Sequence, residues 1–235
     1  MKNIILTWWS GWIWSAIAKD LHQRWYEVYN IDILKPKNDW MFKDSFSIDL
    51  SMSSSDIEGQ IWEIVNRINS IHWLVHSAWY GWPYQKITDV TWEEWKKVFN
   101  INMESFFTLS KYVLPVMERQ RFWRIVAIAS SLSIVWWAQS VAYSSAKHAL
   151  VWFTKSIADE WGEYGITANC ISPWYVKSNM WPSSDKHTLE IISKTPSKRI
   201  AESSEIARLV SFILDSESGY INGVNYAIDW WLTAI

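Results

Sequence analysis

A doubly wound α/β fold, a single domain on a parallel seven-stranded sheet with helices on both faces, is predicted by three features of the sequence. Seven short β-branched or aromatic runs recur along the chain, longer segments with helical spacing of apolar residues separate them, and the runs are continuously apolar rather than alternating. Strands without a polar face are buried on both sides, the pattern of a parallel sheet covered by helices. Right-handed crossovers wind such a sheet in both directions and put its ligands beyond the carboxyl ends of the strands. With 235 residues, 49% hydrophobic and 20% charged, one continuous core is affordable. No linker or internal repeat divides residues 1–235.

The elements follow in order. Strand Asn3–Leu6 precedes helical spacing over 13–24, and strands Tyr26–Ile31 and Ser45–Ile48 precede a helix over 56–69. Strand His72–His76 leads into helical spacing over 92–119, and strand Arg124–Ala129 into a helix over 141–161. Strand Ile166–Ile171 is followed by the polar, helix-forming Ser184–Lys194, a helix over 203–214 and strand Val224–Ile228.

Several function classes are excluded. No apolar run approaches the roughly 20 residues that span a bilayer, and Ile4-Ile5-Leu6 is broken at Thr7 and Ser10 before a secretory core forms, so the chain reads as cytoplasmic with no membrane partner. With 22 basic and 24 acidic residues the net charge is -2, and no basic field exists to hold nucleic acid. The single cysteine, Cys170, lies in the apolar run Ile166–Ile171 and reads as a small buried hydrophobe. His22, His72, His148 and His187 have no metal-ligand spacing, and His76 reads as a structural hydrogen-bonder.

Two counts are abnormal in opposite directions. Glycine is 7 of 235, about 3% where roughly 7% is usual, while tryptophan reaches 21. The positions connect them. Thr7 with Trp8, Trp12 and Trp14 has the spacing T-G-x-x-x-G-x-G, and the helix Ser15-Ala-Ile-Ala follows. Tyr143-Ser-Ser-Ala-Lys147 sets a phenol and an ammonium four residues apart on one helix face, Ser130 stands thirteen residues earlier, and Asn102 lies in Val98–Met103. A lone Y-x-x-x-K arises by chance in many helices, but the serine, asparagine and strand order make the combination specific. Together these residues resemble the short-chain dehydrogenase/reductase family and its Rossmann-like fold. Tryptophan also stands at 79 where the family has N-N-A-G, at 174 where it has P-G-x-V, and at 230 and 231 where it has D-G-G. The chain looks like a family member with tryptophan in place of glycine at many positions.

The resemblance implies reversible hydride transfer between a nicotinamide cofactor and a carbonyl or secondary alcohol, with a small-molecule substrate. It implies Tyr143 as general acid, Ser130 as hydrogen-bond donor to the developing oxyanion, Lys147 on the nicotinamide ribose and Asn102 anchoring a water. Lys147 is expected to lower the Tyr143 pKa. The cofactor contacts carried over are Thr7, Trp8, Ser10, Trp12, Ile13, Trp14, Asp32, Asp49, Leu50, Ala78, Tyr143, Lys147, Pro173, Val176 and Ser178. Asp32 ends the second strand and favours NAD over NADP by repelling a 2′-phosphate, although Lys35 and Lys37 follow it. Asp49 matches an adenine-contacting aspartate, with a plain turn as the alternative. Indoles at Trp12 and Trp14 are expected to fill the space the pyrophosphate needs. An inactivated scaffold whose tryptophans close the turn, and an NAD-binding regulator without turnover, therefore stand beside the enzyme reading. The substrate lid falls at 174–197. Thr195–Phe212 looks most like 3-oxoacyl-carrier-protein reductases, which usually take NADPH, with Arg121 near where those enzymes meet the carrier. The helices over 92–119 and 141–161 resemble those that pair in family dimers and tetramers, so a homotetramer is expected, with a dimer as the second choice.

Overall fold

The structure, a computed structural model, describes residues 2–7, 12–34, 36, 39–81, 84–121, 123–177 and 185–234. The strands are β1 (Asn3–Thr7), β2 (Glu27–Asp32), β3 (Asp44–Ser47), β4 (Trp73–His76), β5 (Trp123–Ile128), β6 (Ile166–Pro173) and β7 (Asn225–Ile228). The helices are α1 (Trp12–Gln23), α2 (Ser54–Ile68), α3 (Trp92–Phe99), α4 (Ser105–Gln120), α5 (Val141–Glu160), α6 (Lys186–Lys194) and α7 (Ser203–Leu214). All strand pairs are parallel and the order is β3-β2-β1-β4-β5-β6-β7. The order reverses at β1, which opens a crevice beyond the carboxyl ends of β1 and β4.

Alternation along each buried strand divides the core into two layers. Ile5, Leu74, Ile125 and Ala127 join the layer that includes α2, α4 and α5 side chains, whereas Ile4, Leu6, Val75, Val126 and Ile128 join the layer of α1 and α7. The helix expected over 92–119 is in fact α3 and α4 joined by a π-type segment, Asn100–Glu104, in which the Ser105 amide reaches back to the Asn100 carbonyl. Apolar spacing continues through it, so periodicity alone does not reveal the widened turn. Such single-turn widenings recur at functional sites, and this one carries Asn102.

The tryptophans take very different environments. Trp73 and Trp123 lie in the core, and Trp14 is 5% exposed. Its ring stacks on Phe42 at 5.2 Å between centroids. This corrects the expectation that Trp14 occupies pyrophosphate space: its ring packs in the α1 and α7 layer. Elsewhere the backbone itself is glycine-like. Trp230 and Trp231 have φ of 47° and 83°, a region that hinders any side chain with a Cβ, and their rings are 55% and 57% exposed. Trp25, φ 65°, occupies the left-handed position of the turn that closes α1, where the Tyr26 amide donates to the Leu21 carbonyl. Trp79 and Trp174 are absent from the positive-φ set.

Candidate active site

Three chain segments meet at the carboxyl end of β5. The ladder between β5 and β6 ends at Ile128, and two residues on, Ser130 is held in extended backbone with its Oγ accepting from the Leu132 amide at 3.2 Å. Ser130 stands close enough to Tyr143 to ease, in part, the effect of burial on that phenol. Lys147, one turn along α5, is fully buried, and its Nζ donates to the Ile128 carbonyl at 2.8 Å. The helix thus anchors its phenol and ammonium on the strand end that supplies the serine.

The electrostatics correct one expectation. Burial pushes the Tyr143 phenol above its ordinary 10, and the neighbouring Tyr84 adds to that shift. Lys147 does not reverse it. Burial holds this ammonium itself down to about 7, because removing a cation from water costs free energy that one carbonyl contact recovers only in part. Helical spacing established that the two groups are neighbours, but the shift depends on burial, which spacing does not report.

Asn102 is buried at the π segment, its Nδ2 donating to the Tyr80 and Val98 carbonyls at 2.7 and 2.8 Å while its Oδ1 accepts from the Tyr80 amide. Both amide hydrogens are thereby committed to protein, leaving a lone pair of Oδ1 for water. Thr7 ends β1 and binds the start of the next crevice wall. Its Oγ1 accepts from the Ser77 and Ala78 amides at 3.1 and 3.2 Å and lies 3.0 Å from His76 Nδ1. With two donors already on Thr7, its hydroxyl hydrogen goes to Nδ1, so His76 carries its proton on Nε2. Burial and Lys147 hold that ring neutral, with its pKa down to about 3.

Other aromatic groups surround Tyr143. The Trp79 ring lies edge-on at 6.4 Å, and a Cβ at Gly81 would stand 3.3 Å from Tyr143 Cδ2. Tyr84 raises the phenols of both Tyr143 and Tyr175, and Tyr175 Oη lies 2.6 Å from His187 Nε2 on α6. Trp174 packs against Tyr175 and Trp137. A separate cleft of about 570 Å³ opens between Ile87, Trp136, Trp137 and His148, on a face of α5 beside Tyr143. The sequence singled out neither Tyr84, Tyr175 nor His187 for a site role, since Tyr175 falls at the unspecified position of P-G-x-V and the other two stand outside any motif.

A family model described as enoyl-(acyl carrier protein) reductase matches residues 16–232. The chain belongs to the short-chain dehydrogenase/reductase family. It is 32% identical over 219 residues to the 3-oxoacyl-[acyl-carrier-protein] reductase of Buchnera aphidicola, spanning 89% of this chain and 88% of that protein. The match to the Escherichia coli 3-oxoacyl-[acyl-carrier-protein] reductase is 34% identical and spans 56% of this chain and 54% of that protein. Among solved structures, aldohexose dehydrogenase from Thermoplasma acidophilum superposes with a TM-score of 0.88 at 26% identity, covering 100% of this chain and 94% of that one. A short chain dehydrogenase family protein from Francisella tularensis gives 0.85 at 26% identity, covering 100% of both chains.

Against this short-chain dehydrogenase/reductase frame, the structure brings Ser130, Tyr143 and Lys147 together, with Asn102 on the adjoining π segment. At the nucleotide crevice, Asp32 ends β2 at 1% exposure, its Oδ1 accepting from the Leu34 amide at 3.2 Å and its buried Oδ2 without a hydrogen-bond partner among the described residues. Burial raises its carboxyl to about 6. An unsatisfied buried acceptor at a switch-point strand end fits a ribose hydroxyl, so these residues suit a nicotinamide dinucleotide. Asp49 spends its Oδ1 on the Ser51 amide in a local turn, and Leu50 and Ala78 are buried beside the crevice. Ile13 packs against the α1 and α7 layer. Pro173 ends β6, and Val176 bridges to Ala201. Trp8, Ser10, Lys35, Lys37, Ser178 and the Trp12 side chain lie outside the described residues, as does 178–184 of the lid. Cys170 is buried and free, its thiol pushed up to about 12, as expected of a small core residue. Among the described residues no helix is long and apolar enough to cross a membrane.

Proposed function

We propose that this chain interconverts a carbonyl and a secondary alcohol with NAD as the favoured cofactor and NADP as the weaker alternative. The observation that carries the reading is the meeting of Ser130, whose Oγ is fixed by the Leu132 amide, with the phenol of Tyr143 and the buried Lys147 at the end of one strand. A bound nicotinamide would supply or accept the hydride. The residues do the rest. The raised Tyr143 phenol retains its proton at neutral pH, as a general acid must when a carbonyl oxygen gains charge. Ser130 Oγ–H donates to that oxygen and holds it within reach of Tyr143 Oη. Lys147, partly charged near pH 7, stabilises the phenolate left behind and is placed to hold ribose hydroxyls.

Asp32 and Asp49 would hold the adenosine end, and the Asp32 carboxylate would reject a 2′-phosphate by like-charge repulsion. Similarity to 3-oxoacyl-carrier-protein reductases speaks for NADP, but the Asp32 carboxylate, its Oδ2 without a partner among the described residues, favours NAD. The aromatic wall of Trp79, Tyr84, Trp174 and Tyr175 suits an apolar carbonyl substrate. Assembly as a homotetramer in the cytoplasm completes the reading, and sedimentation showing only monomer at micromolar concentration refutes the tetramer.

Tyr143→Phe tests the chemistry. It removes the proton donor alone, so turnover should fall by at least about a hundredfold, the usual scale of general acid catalysis, while NADH affinity by fluorescence titration stays within about twofold. Retained turnover removes Tyr143 from the mechanism.

A further inference from the structure

A chain of hydrogen-bonded polar side chains runs from a half-exposed asparagine on the edge strand to the peptide of Ser130. Ser172 Oγ on β6 donates to Asn225 Oδ1 on β7 at 2.7 Å and lies 2.9 Å from Ser133 Oγ. Asn225 Nδ2 reaches Ser133 Oγ at 3.4 Å. Ser133 Oγ then donates to the Ser130 carbonyl at 2.6 Å, which also accepts from the Ser133 amide at 2.8 Å. Ser133 and Ser172 are buried.

We propose that Ser133, Ser172 and Asn225 are positioning residues that fix the Ser130 peptide and thereby aim its hydroxyl. The inference rests on the catalytic role proposed above for Ser130. The need arises because strand pairing ends at Ile128, leaving Ser130 beyond the ladder. The hydrogens can be arranged in two ways: Ser172 donates to Asn225 while Asn225 donates to Ser133, or Ser172 donates to Ser133 directly. In both, the Ser133 hydrogen rests on the Ser130 carbonyl. The carbonyl is therefore pinned by two donors whichever way the outer chain is oriented. Rotation of that peptide would swing Oγ away from the Leu132 amide that orients it, and so away from the neighbouring Tyr143. A donor misaimed by a fraction of an ångström loses much of its hold on a developing oxyanion.

The test is a set of double-mutant cycles. Ser133→Ala, Ser172→Ala and Asn225→Ala are each made alone and in a Ser130→Ala background, with reduction of a panel of β-keto esters and cyclic ketones by NADH and NADPH. Ser133→Ala alone should lower kcat about tenfold, the scale of one aligned hydrogen bond, and the outer two about threefold. NADH Kd should stay within about twofold, and Ser133→Thr, which keeps the hydroxyl, should restore most of the loss. In the Ser130→Ala background the same changes should have almost no effect, since no hydroxyl remains to be aimed. In the unliganded protein, amide exchange at Leu132 and Ser133 should quicken in Ser133→Ala. Equal losses in both backgrounds, a loss carried by NADH Kd, or an unchanged kcat in Ser133→Ala overturns the proposal. Full turnover in Ser130→Ala alone instead refutes the role of Ser130, and the positioning role falls with it. Asn225→Ala, half-exposed on the edge strand, reads the same chain if the buried Ser172→Ala does not fold.

Discussion

Lys147 Nζ lies 5.7 Å from the centroid of the Tyr143 ring, one helical turn away, and faces the Ile128 carbonyl rather than solvent. The pair is therefore a half-buried phenol and a fully buried amine, and for each the surrounding protein disfavours the charged form. The phenol is disfavoured as a phenolate and the lysine as an ammonium, so each keeps its neutral form more readily than it would in water.

This dictates the pH dependence of the free enzyme. The Lys147 pKa is lowered from 10.5 to about 7, so its cation is present below that value and lost above it. The kcat/KM for carbonyl reduction, which reports groups of the unliganded enzyme, should fall as pH rises through about 7. Tyr143 stays protonated across this range and adds no limb. In Lys147→Met the limb should vanish at a lower overall rate. A flat wild-type profile between pH 6 and 9 would sink the assignment.

Asp32 predicts a second pH effect. Its folded pKa is raised from 3.8 to about 6, so the folded state keeps a proton that the unfolded chain has lost in that window. Stability from this group is present below 3.8 and lost as pH rises through 6. Asp32→Asn should therefore raise Tm at pH 7.5 but not at pH 4. Removing the carboxylate should also lower the preference for NADH over NADPH about tenfold or more, measured as a ratio of Kd values. Wild-type protein that binds NADPH as tightly as NADH at pH 7.5 would refute the specificity.

The sheet was legible because its central strands β1, β4 and β5 are apolar, largely buried runs, and Tyr143 and Lys147 because a four-residue interval on a helix has one geometric meaning. The π segment at Asn100–Glu104 was not, since a widened turn leaves the apolar spacing of its neighbours intact. Tyr84 reaches Tyr143 and Tyr175 only through the tertiary fold. For Trp14 the motif identified the position, but ring direction is decided by packing, and Phe42 comes from a loop 28 residues away.

Trp230 and Trp231 yield a stability prediction of unusual sign. Their positive φ values cost a residue bearing a Cβ about 1–2 kcal/mol each, and their exposed rings return little by burial. Trp230→Gly and Trp231→Gly should each stabilise the fold, net of the greater entropy of unfolded glycine, by about 0.5–1 kcal/mol. That corresponds to a rise in Tm of about 1–4 °C for a domain of this size. A lower Tm in both variants would show that the rings bind something the backbone conformation does not reveal.

The same substitution at Trp14 should act in the opposite direction. Here the ring is buried and stacked on Phe42 within the layer that joins α1 to α7, so Trp14→Gly opens a cavity and introduces glycine into a helix. The cavity costs about 3–5 kcal/mol and the glycine about 1 kcal/mol more. Nucleotide affinity should not rise to compensate, because a ring packed in the core leaves no obstruction for its removal to clear. Thermal unfolding and NADH titration on one preparation separate the two effects. A tighter NADH complex with unchanged Tm would mean that the Trp14 ring occupies the nucleotide crevice after all, and that its contact with Phe42 contributes nothing to the fold.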